Sequence, residues 1–316
     1  MAETIASVIP LYNKGDMIVR AVRSVVAQTR LPDALIVVDD GSTDGSADLA
    51  RAALGEVPDK VDCRFLSQAN AGVSVARNAG ANAVDSDIIA FLDADDQWLP
   101  GQLAEIERLA QHVPDAGLLS TRKARRDDDG NFVPDFSALP PGHFGAVDNG
   151  LAAYREGYGI LHTSAIAVRR GAWERSGGFP PGARKSQDMH LWLRLLLRET
   201  FAHSDICTTQ FHEEASGVKH RHGVVPAHFS YFLDSPDGRA QLDNSDLSAF
   251  LSGNLINSVA GHRLSGDDAV VAELLRMSNR LDLRTRILAR AVSKAPRAML
   301  AAKATQRRRQ RQAAAS

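Results

Sequence analysis

Ile88-Ile89-Ala90-Phe91-Leu92-Asp93-Ala94-Asp95-Asp96 sets five apolar residues directly before three carboxylates, and Gln97-Trp98-Leu99-Pro100 closes the segment. A short, unbroken, β-rich run has the pattern of a strand buried on both faces of a parallel sheet. In an open α/β sheet such a strand delivers its C-terminal end to the crevice where ligands bind. Side chains alternate along an extended chain, so Asp93 and Asp95 are expected to face the same way. Two carboxylates converging there repel each other unless a cation joins them. Mg2+ or Mn2+ suits hard oxygen ligands and takes one or two protein carboxylates, with phosphate oxygens and water completing the shell. The stretch reads as a metal-diphosphate site. Taken alone, Asp-Ala-Asp is equally at home in a solvated acidic loop, and its neighbours decide.

N-terminal to it, Ile5-Ala6-Ser7-Val8-Ile9 is a β-type run stopped by Pro10-Leu11-Tyr12-Asn13. A helical stripe of Ile18, Val22, Val25 and Val26 follows from about Asp16, and Leu35-Ile36-Val37-Val38 is the second buried strand. That strand ends in Asp39-Asp40-Gly41-Ser42-Thr43-Asp44-Gly45, which supplies cap residues for a helix through Ala47 to Leu54. Cys63-Arg64-Phe65-Leu66 is a weaker strand, and Asn70-Ala71-Gly72 leads into a helix carrying Val73, Ala76, Arg77 and Ala83. Strands alternating with helices of this size specify parallel pairing through right-handed crossovers. No G-x-G-x-x-G follows the first strand, which disfavours a dehydrogenase-type dinucleotide fold.

Val8-Ile9-Pro10-Leu11-Tyr12-Asn13, Val37-Val38-Asp39-Asp40-Gly41-Ser42-Thr43-Asp44, Asn70-Ala71-Gly72-Val73-Ser74-Val75-Ala76-Arg77-Asn78 and Phe91-Leu92-Asp93-Ala94-Asp95-Asp96 stand in the order and spacing of a known set. Over residues 1 to about 215 the chain resembles the inverting glycosyltransferases of family 2. The resemblance implies an α/β GT-A fold (the nucleotide-diphospho-sugar transferase fold), with a mostly parallel sheet flanked by helices. It implies that Pro10, Tyr12, Asp40, Arg77 and Asp93 bind the nucleotide. Asp40 would accept the N3 hydrogen of uracil, Tyr12 would stack on the ring, and Arg77 would donate to the base or diphosphate. Asp95, with Asp93 assisting, would hold Mn2+ or Mg2+. The plainer alternatives are a packed aromatic at Tyr12 and a surface ion pair at Arg77.

Past a helix from Gln102 and a strand at Ala116-Gly117-Leu118-Leu119-Ser120, residues 122–160 read as hairpin or loop, and the Arg122-to-Asp129 charge cluster as a solvated face. Ser164-Ala165-Ile166-Ala167-Val168 is a strand, and a short helix ends at Gly177-Gly178. Asp188 opens the next helix, where a carboxylate suits the helix dipole in any case. In the family, the second acid of a Glu-Asp pair at this point is the catalytic base. Asp188 takes that place, with Gln187 standing where the Glu is usual. The family's Arg-x-His element corresponds to Gln210-Phe211-His212, and His212 would contact the diphosphate or the ion, unless it is a plain loop histidine.

The 44% hydrophobic and 24% charged residues suit a soluble globular protein with a sizeable core. Cys63 and Cys207 lie outside any metal-ligand spacing and read as reduced thiols, no signal peptide opens the chain, and a cytoplasmic location is expected. Ten of the 37 Lys and Arg residues and none of the 38 acids fall in 283–316, leaving -11 on the rest of the chain. That asymmetry suggests peripheral contact of the tail with anionic membrane; aromatic interleaving for nucleic acid is lacking. The expected organisation is a glycosyltransferase domain over 1–222 (nucleotide half 1–120, acceptor half 121–222), a helical region over 223–304 and a disordered basic tail over 305–316. The expected reaction moves one sugar from a nucleotide-diphosphate donor, a UDP-sugar, to a hydroxyl of a saccharide or glycolipid acceptor. The alternative is a silent nucleotide-sugar binder.

Overall fold

Every residue of Ile5–Leu11 (β1) is buried, as a strand covered on both faces must be. In the computed structural model, which describes residues 3–127, 130–212 and 223–315, Ala34–Asp39 (β2) runs parallel to β1 and Asp62–Ser67 (β3) parallel to β2. Ile88–Phe91 (β4) lies parallel on the other side of β1. Helices Met17–Val26 (α1), Ser46–Leu54 (α2) and Val73–Asn82 (α3) make the crossovers. This half is the alternating unit that the sequence dictates.

Beyond β4 the sheet turns mixed. Gln97–Trp98 (β5), Gln102–His112 (α4), Ala116–Arg126 (β6), Phe132–Pro134 (β7), Phe144–Ala146 (β8), Gly150–Glu156 (α5), Ile166–Arg169 (β9), Arg170–Ser176 (α6), Gln187–Leu196 (α7) and Thr200–Phe211 (β10) follow. The strand order is β3-β2-β1-β4-β9-β6-β10-β5, with β7 on β6 and β8 on β10. Strand β9 is antiparallel to both β4 and β6, and β10 is parallel to β6. Strand β6 runs into the basic cluster instead of stopping at Ser120. Its cations are paired there: Arg122 with Asp205 at 3.1 Å, and Lys123 and Arg125 with Asp135 at 2.6 and 3.1 Å. The hairpin partner β7 joins at Arg126 opposite Phe132.

On one face of the sheet Ile5, Ile9 and Leu11 pack with Ile18, Val22 and Val25 of α1 and Leu103, Ile106 and Leu109 of α4. Phe91 of β4 meets the Trp173 and Phe179 rings, each at 5.4 Å between centroids.

The chain divides into two compact units, Met1–Gly182 with Arg194–Gly217, and Ala183–Leu193 with Val218–Ser316. The second unit holds the start of α7 and then Ala227–Phe229 (α8), Pro236–Arg239 (α9), Ser245–Ser265 (α10), Asp268–Met277 (α11), Leu283–Lys294 (α12) and Arg297–Ala315 (α13). The Asn244 side chain caps α10 and Asp282 caps α12. Helix α13 is rich in Ala, Gln, Lys and Arg, which are strong helix formers, and no Gly or Pro interrupts 297–315.

Glycine lets α3 lie on the sheet. A Cβ at Gly80 would sit 2.5 Å from Val8 Cγ1 and 3.1 Å from Val38 Cγ2, both on stiff, fully buried β-branched side chains. By contrast, a Cβ at the exposed Gly253 in α10 meets nothing within 4 Å. In urea titrations Gly80→Val should lose about 1–3 kcal/mol through overpacking, whereas Gly253→Ala should gain about 0.5–1 kcal/mol. An unchanged midpoint for Gly80→Val would contradict this packing.

Candidate active site at the carboxyl edge of the sheet

Strand β4 stops at Phe91, and Asp96 N–H donates to the Asp93 carbonyl at 3.0 Å, closing a turn. The alternation expected for Asp93 and Asp95 therefore does not apply. Strand β5 must reverse from residue 97 to pair antiparallel with β10, and a turn is the only route. The turn still places Asp93 close enough for its charge to oppose ionisation of Asp95.

Each acid has its own partner from a distant part of the chain. Arg77 of α3 donates through Nη2 to Asp93 Oδ1 at 2.5 Å. Lys14, in the loop after β1, places Nζ 2.5 Å from Asp95 Oδ2, and the Arg20 guanidinium donates to the Asp95 carbonyl. Asp96 accepts from Ser164 Oγ at 2.5 Å and from His212 N–H at 3.1 Å. Ser164 also receives Asp93 N–H on its hydroxyl at 3.1 Å and Trp98 Nε1–H on its carbonyl at 2.5 Å, so one serine ties the turn to β5 and β9.

These settings split the three acids. Burial pushes the Asp93 carboxyl up, but Arg77 outweighs it and holds the group below its usual range. Burial and the Asp93 charge raise Asp95 against the pull of Lys14. Burial, again with Asp93, pushes Asp96 up to about 7, although the Ser164 hydroxyl opposes it. Neighbouring His162 is pushed down to about 3 by burial and stays neutral, its Nδ1 accepting from Ser164 N–H at 3.3 Å.

The other expected nucleotide residues gather along the same edge. Pro10 lies in β1 opposite Val38. Val8 turns its carbonyl to β4, accepting Leu92 N–H at 3.0 Å, so Pro10, two residues on, faces the place where β4 has ended and forfeits no ladder bond. Tyr12, just past β1, is 47% exposed. Asp40 takes Gln68 Nε2–H at 2.7 Å and the Ala71 and Gly72 N–H groups at 2.8 Å, fastening the turn that launches α3. The Arg77 guanidinium lies 4.9 Å from the Phe179 ring centroid, and its Nε and Nη1 are buried without a hydrogen-bond partner among the described residues. Asn78 clamps the Phe179 backbone in both directions, at 2.8 and 2.9 Å, where Gly177 and Gly178 take φ of 69° and 72°.

Asp188 stands in the first turn of α7, in the second unit. His212 follows β10 directly and sets its ring edge-on to Phe132 at 5.0 Å. Among the described residues no three His, Cys, Asp or Glu side chains are gathered into a metal-holding group. Two carboxylates beside a diphosphate are nevertheless an ordinary protein share of a Mg2+ or Mn2+ shell. Sequence reasoning missed Lys14, Arg20, His162 and Ser164. Lys14 was visible as the one cation in the loop after β1; Arg20 and Ser164 meet their partners across 66 to 75 residues, and no local pattern marks them.

A family model described as Glycosyl transferase family 2 matches residues 7–172. Over 115 residues the chain is 40% identical to the uncharacterized glycosyltransferase alr2836 of a Nostoc species, covering 36% of this chain and 35% of that one. This chain thus matches about a third of that relative's length. Over 194 residues it is 33% identical to TuaG of Bacillus subtilis, a glycosyltransferase provisionally assigned to teichuronic acid biosynthesis, covering 61% and 71% of the two chains. TarS 1-349 of Staphylococcus aureus, solved with UDP-GlcNAc, superposes with a TM-score of 0.60 at 14% identity over 92% of this chain and 90% of its own, a likeness of fold. The parallel β3-β2-β1-β4 half, the acidic turn after β4 and the match over more than half its length together place the chain in glycosyl transferase family 2, with the GT-A fold.

Proposed function

We propose that the protein transfers one sugar from a UDP-sugar to a hydroxyl of a saccharide or glycolipid acceptor, with inversion, in polysaccharide or glycolipid synthesis. The observation that carries this reading is Arg77. A buried guanidinium with two unsatisfied donors, Nε and Nη1, beside a pair of acids is shaped for an anionic ligand with several oxygens. The exposed ring of Tyr12 suits a base, and Asp40 retains lone-pair capacity on Oδ2 for a uracil N–H. The UDP and UDP-GlcNAc complexes of TarS support a nucleotide-sugar donor, and TuaG supports a polysaccharide product.

Asp95 and Asp93 fit a divalent cation by charge and chemistry, since burial leaves Asp95 in need of positive charge. Such an ion, when bound, neutralises the charge that grows on the departing diphosphate. Arg77 orients the donor. Asp188 accepts the proton of the acceptor hydroxyl as that oxygen attacks the anomeric carbon from the opposite face. A single displacement inverts the anomeric centre and needs no covalent intermediate. Residues 1–222 form the transferase domain in this reading, with 223–304 as its helical extension.

Helices α12 and α13 are the surface for anionic lipid. Leu283 and Ile287 are 62% and 59% exposed, with Leu288 and Met299 also outside, among Arg284, Arg290 and Lys294. The fully packed positions of α12 are the small residues Thr285 and Ala289. Aliphatics on the outer face of a basic helix favour the boundary of a membrane.

Asp188→Asn should keep UDP affinity in the presence of Mn2+ and lose at least about a hundredfold in transfer rate; near-normal turnover would remove Asp188 from the role. Arg77→Gln should weaken UDP binding about tenfold or more in calorimetry, from the loss of charge-assisted hydrogen bonds worth roughly 1.5–3 kcal/mol. Unchanged affinity there would refute the donor site. The full chain should sediment with phosphatidylglycerol vesicles but not with phosphatidylcholine ones, and less so as salt rises. Equal sedimentation with both lipids would exclude the electrostatic contact.

A further inference from the structure

The loop after β1 is built at some conformational cost. Asn13 and Gly15 take φ of 48° and 52°, and Asn13 is one of only two non-glycine residues with positive φ among those described. Five hydrogen bonds fasten the loop to the segment after β2. Asn13 N–H donates to Ser42 Oγ at 3.1 Å, and Thr43 N–H returns to Asn13 Oδ1 at 2.8 Å. Lys14 N–H donates to Ser46 Oγ at 2.9 Å, and Gly15 N–H donates to the same oxygen at 2.8 Å and to Asp44 Oδ2 at 3.0 Å. What this fastening presents is the Lys14 side chain, whose Nζ reaches Asp95 Oδ2 at 2.5 Å across 81 residues of sequence. Both side chains are largely shielded, at 22% and 8% exposure, so the charges act through a medium less screening than bulk water.

We propose that Lys14 is the resident counter-ion of the acidic turn: it keeps Asp95 closed to a divalent cation until the donor diphosphate arrives, and then moves its ammonium onto a phosphoryl oxygen. This rests on the donor reading above. A divalent cation approaching Asp95 meets the positive charges of Lys14 and, through Asp93, Arg77. Two carboxylates already matched by two cations offer it little net attraction. A diphosphate changes that balance by bringing several negative oxygens to the same edge, and the ammonium on its flexible stem can turn to them without leaving the site. Arg77 cannot exchange in this way, because its planar fork is buried and stacked on Phe179. The two cations thus divide the work: Arg77 is a fixed part of the cradle and Lys14 is the exchangeable one. Cation and donor then bind with strong mutual dependence, and the free enzyme does not hold the ion alone.

The test measures Mn2+ binding to the full chain by electron paramagnetic resonance of the free ion, with and without UDP, for the native protein, Lys14→Met and Lys14→Arg. Thermal melts confirm that each variant folds. Lys14→Met should bind Mn2+ without nucleotide at least about tenfold more tightly than the native protein, the expected scale for removing a like charge from a shielded site. In that variant UDP should strengthen Mn2+ binding by a smaller factor than in the native protein. Lys14→Arg, which keeps the charge, should behave like the native chain. Equal or weaker Mn2+ binding by Lys14→Met, or identical behaviour of Met and Arg at this position, would overturn the counter-ion role. Failure of the donor reading shows itself separately, in the native protein: UDP would then leave Mn2+ affinity unchanged.

Discussion

Three carboxylates within four residues, set at the end of one buried strand, are the constraint around which the first unit is arranged. Left to themselves Asp93, Asp95 and Asp96 would repel one another and resist burial. The fold answers each with a different group: a guanidinium from α3, an ammonium from the loop after β1, and a hydroxyl with a backbone amide from the segments flanking β9 and β10. Removing one partner of such a buried pair costs about 3–5 kcal/mol, more than most single contacts. The relative placement of α3, the β1–α1 loop, β9 and β10 is therefore tied to this one acidic turn.

The same economy runs through the motif residues. Asp40 is the anchor of the 70–72 turn as well as a candidate for the base, Asp44 and Ser46 hold the Lys14 loop, and Asn78 secures the Gly177-Gly178-Phe179 turn beneath Arg77. A carboxylate or amide that satisfies two or three backbone N–H groups fixes a loop that has no core of its own. Arg77, packed on Phe179 and paired with Asp93, is thereby held in a rigid surround.

Much of this was legible in the sequence, and the reasons are local. The alternating strands and helices of residues 5–91 follow from apolar runs and turn residues, and the acidic end of β4 from its abrupt change of composition. Other features depend on contacts between distant segments. Nothing near Ile166 says that β9 inserts between β4 and β6, because strand order is decided by which edges remain open. The reversal at residues 92–96 is imposed by the pairing of β5 with β10, more than 100 residues later. Nothing local to α12 says which of its faces is covered, and the structure turns Leu283 and Ile287 outward.

The environment makes three chemically equal acids unequal, and that inequality is what a transfer site requires. Asp93, held low by Arg77, is a permanent anion that anchors the guanidinium. Asp96, raised to about 7 and enclosed by Ser164 and the His212 amide, is about half protonated near neutrality and serves as a joist. Asp95 is raised by burial and by Asp93, so its ionisation gains from an added cation. Had all three been equally solvated, the turn would bind ions diffusely and weakly. With one acid matched by Arg77 and one only partly ionised, much of the site's demand for positive charge falls on the Asp95 oxygen pair, and the Lys14 ammonium is already there.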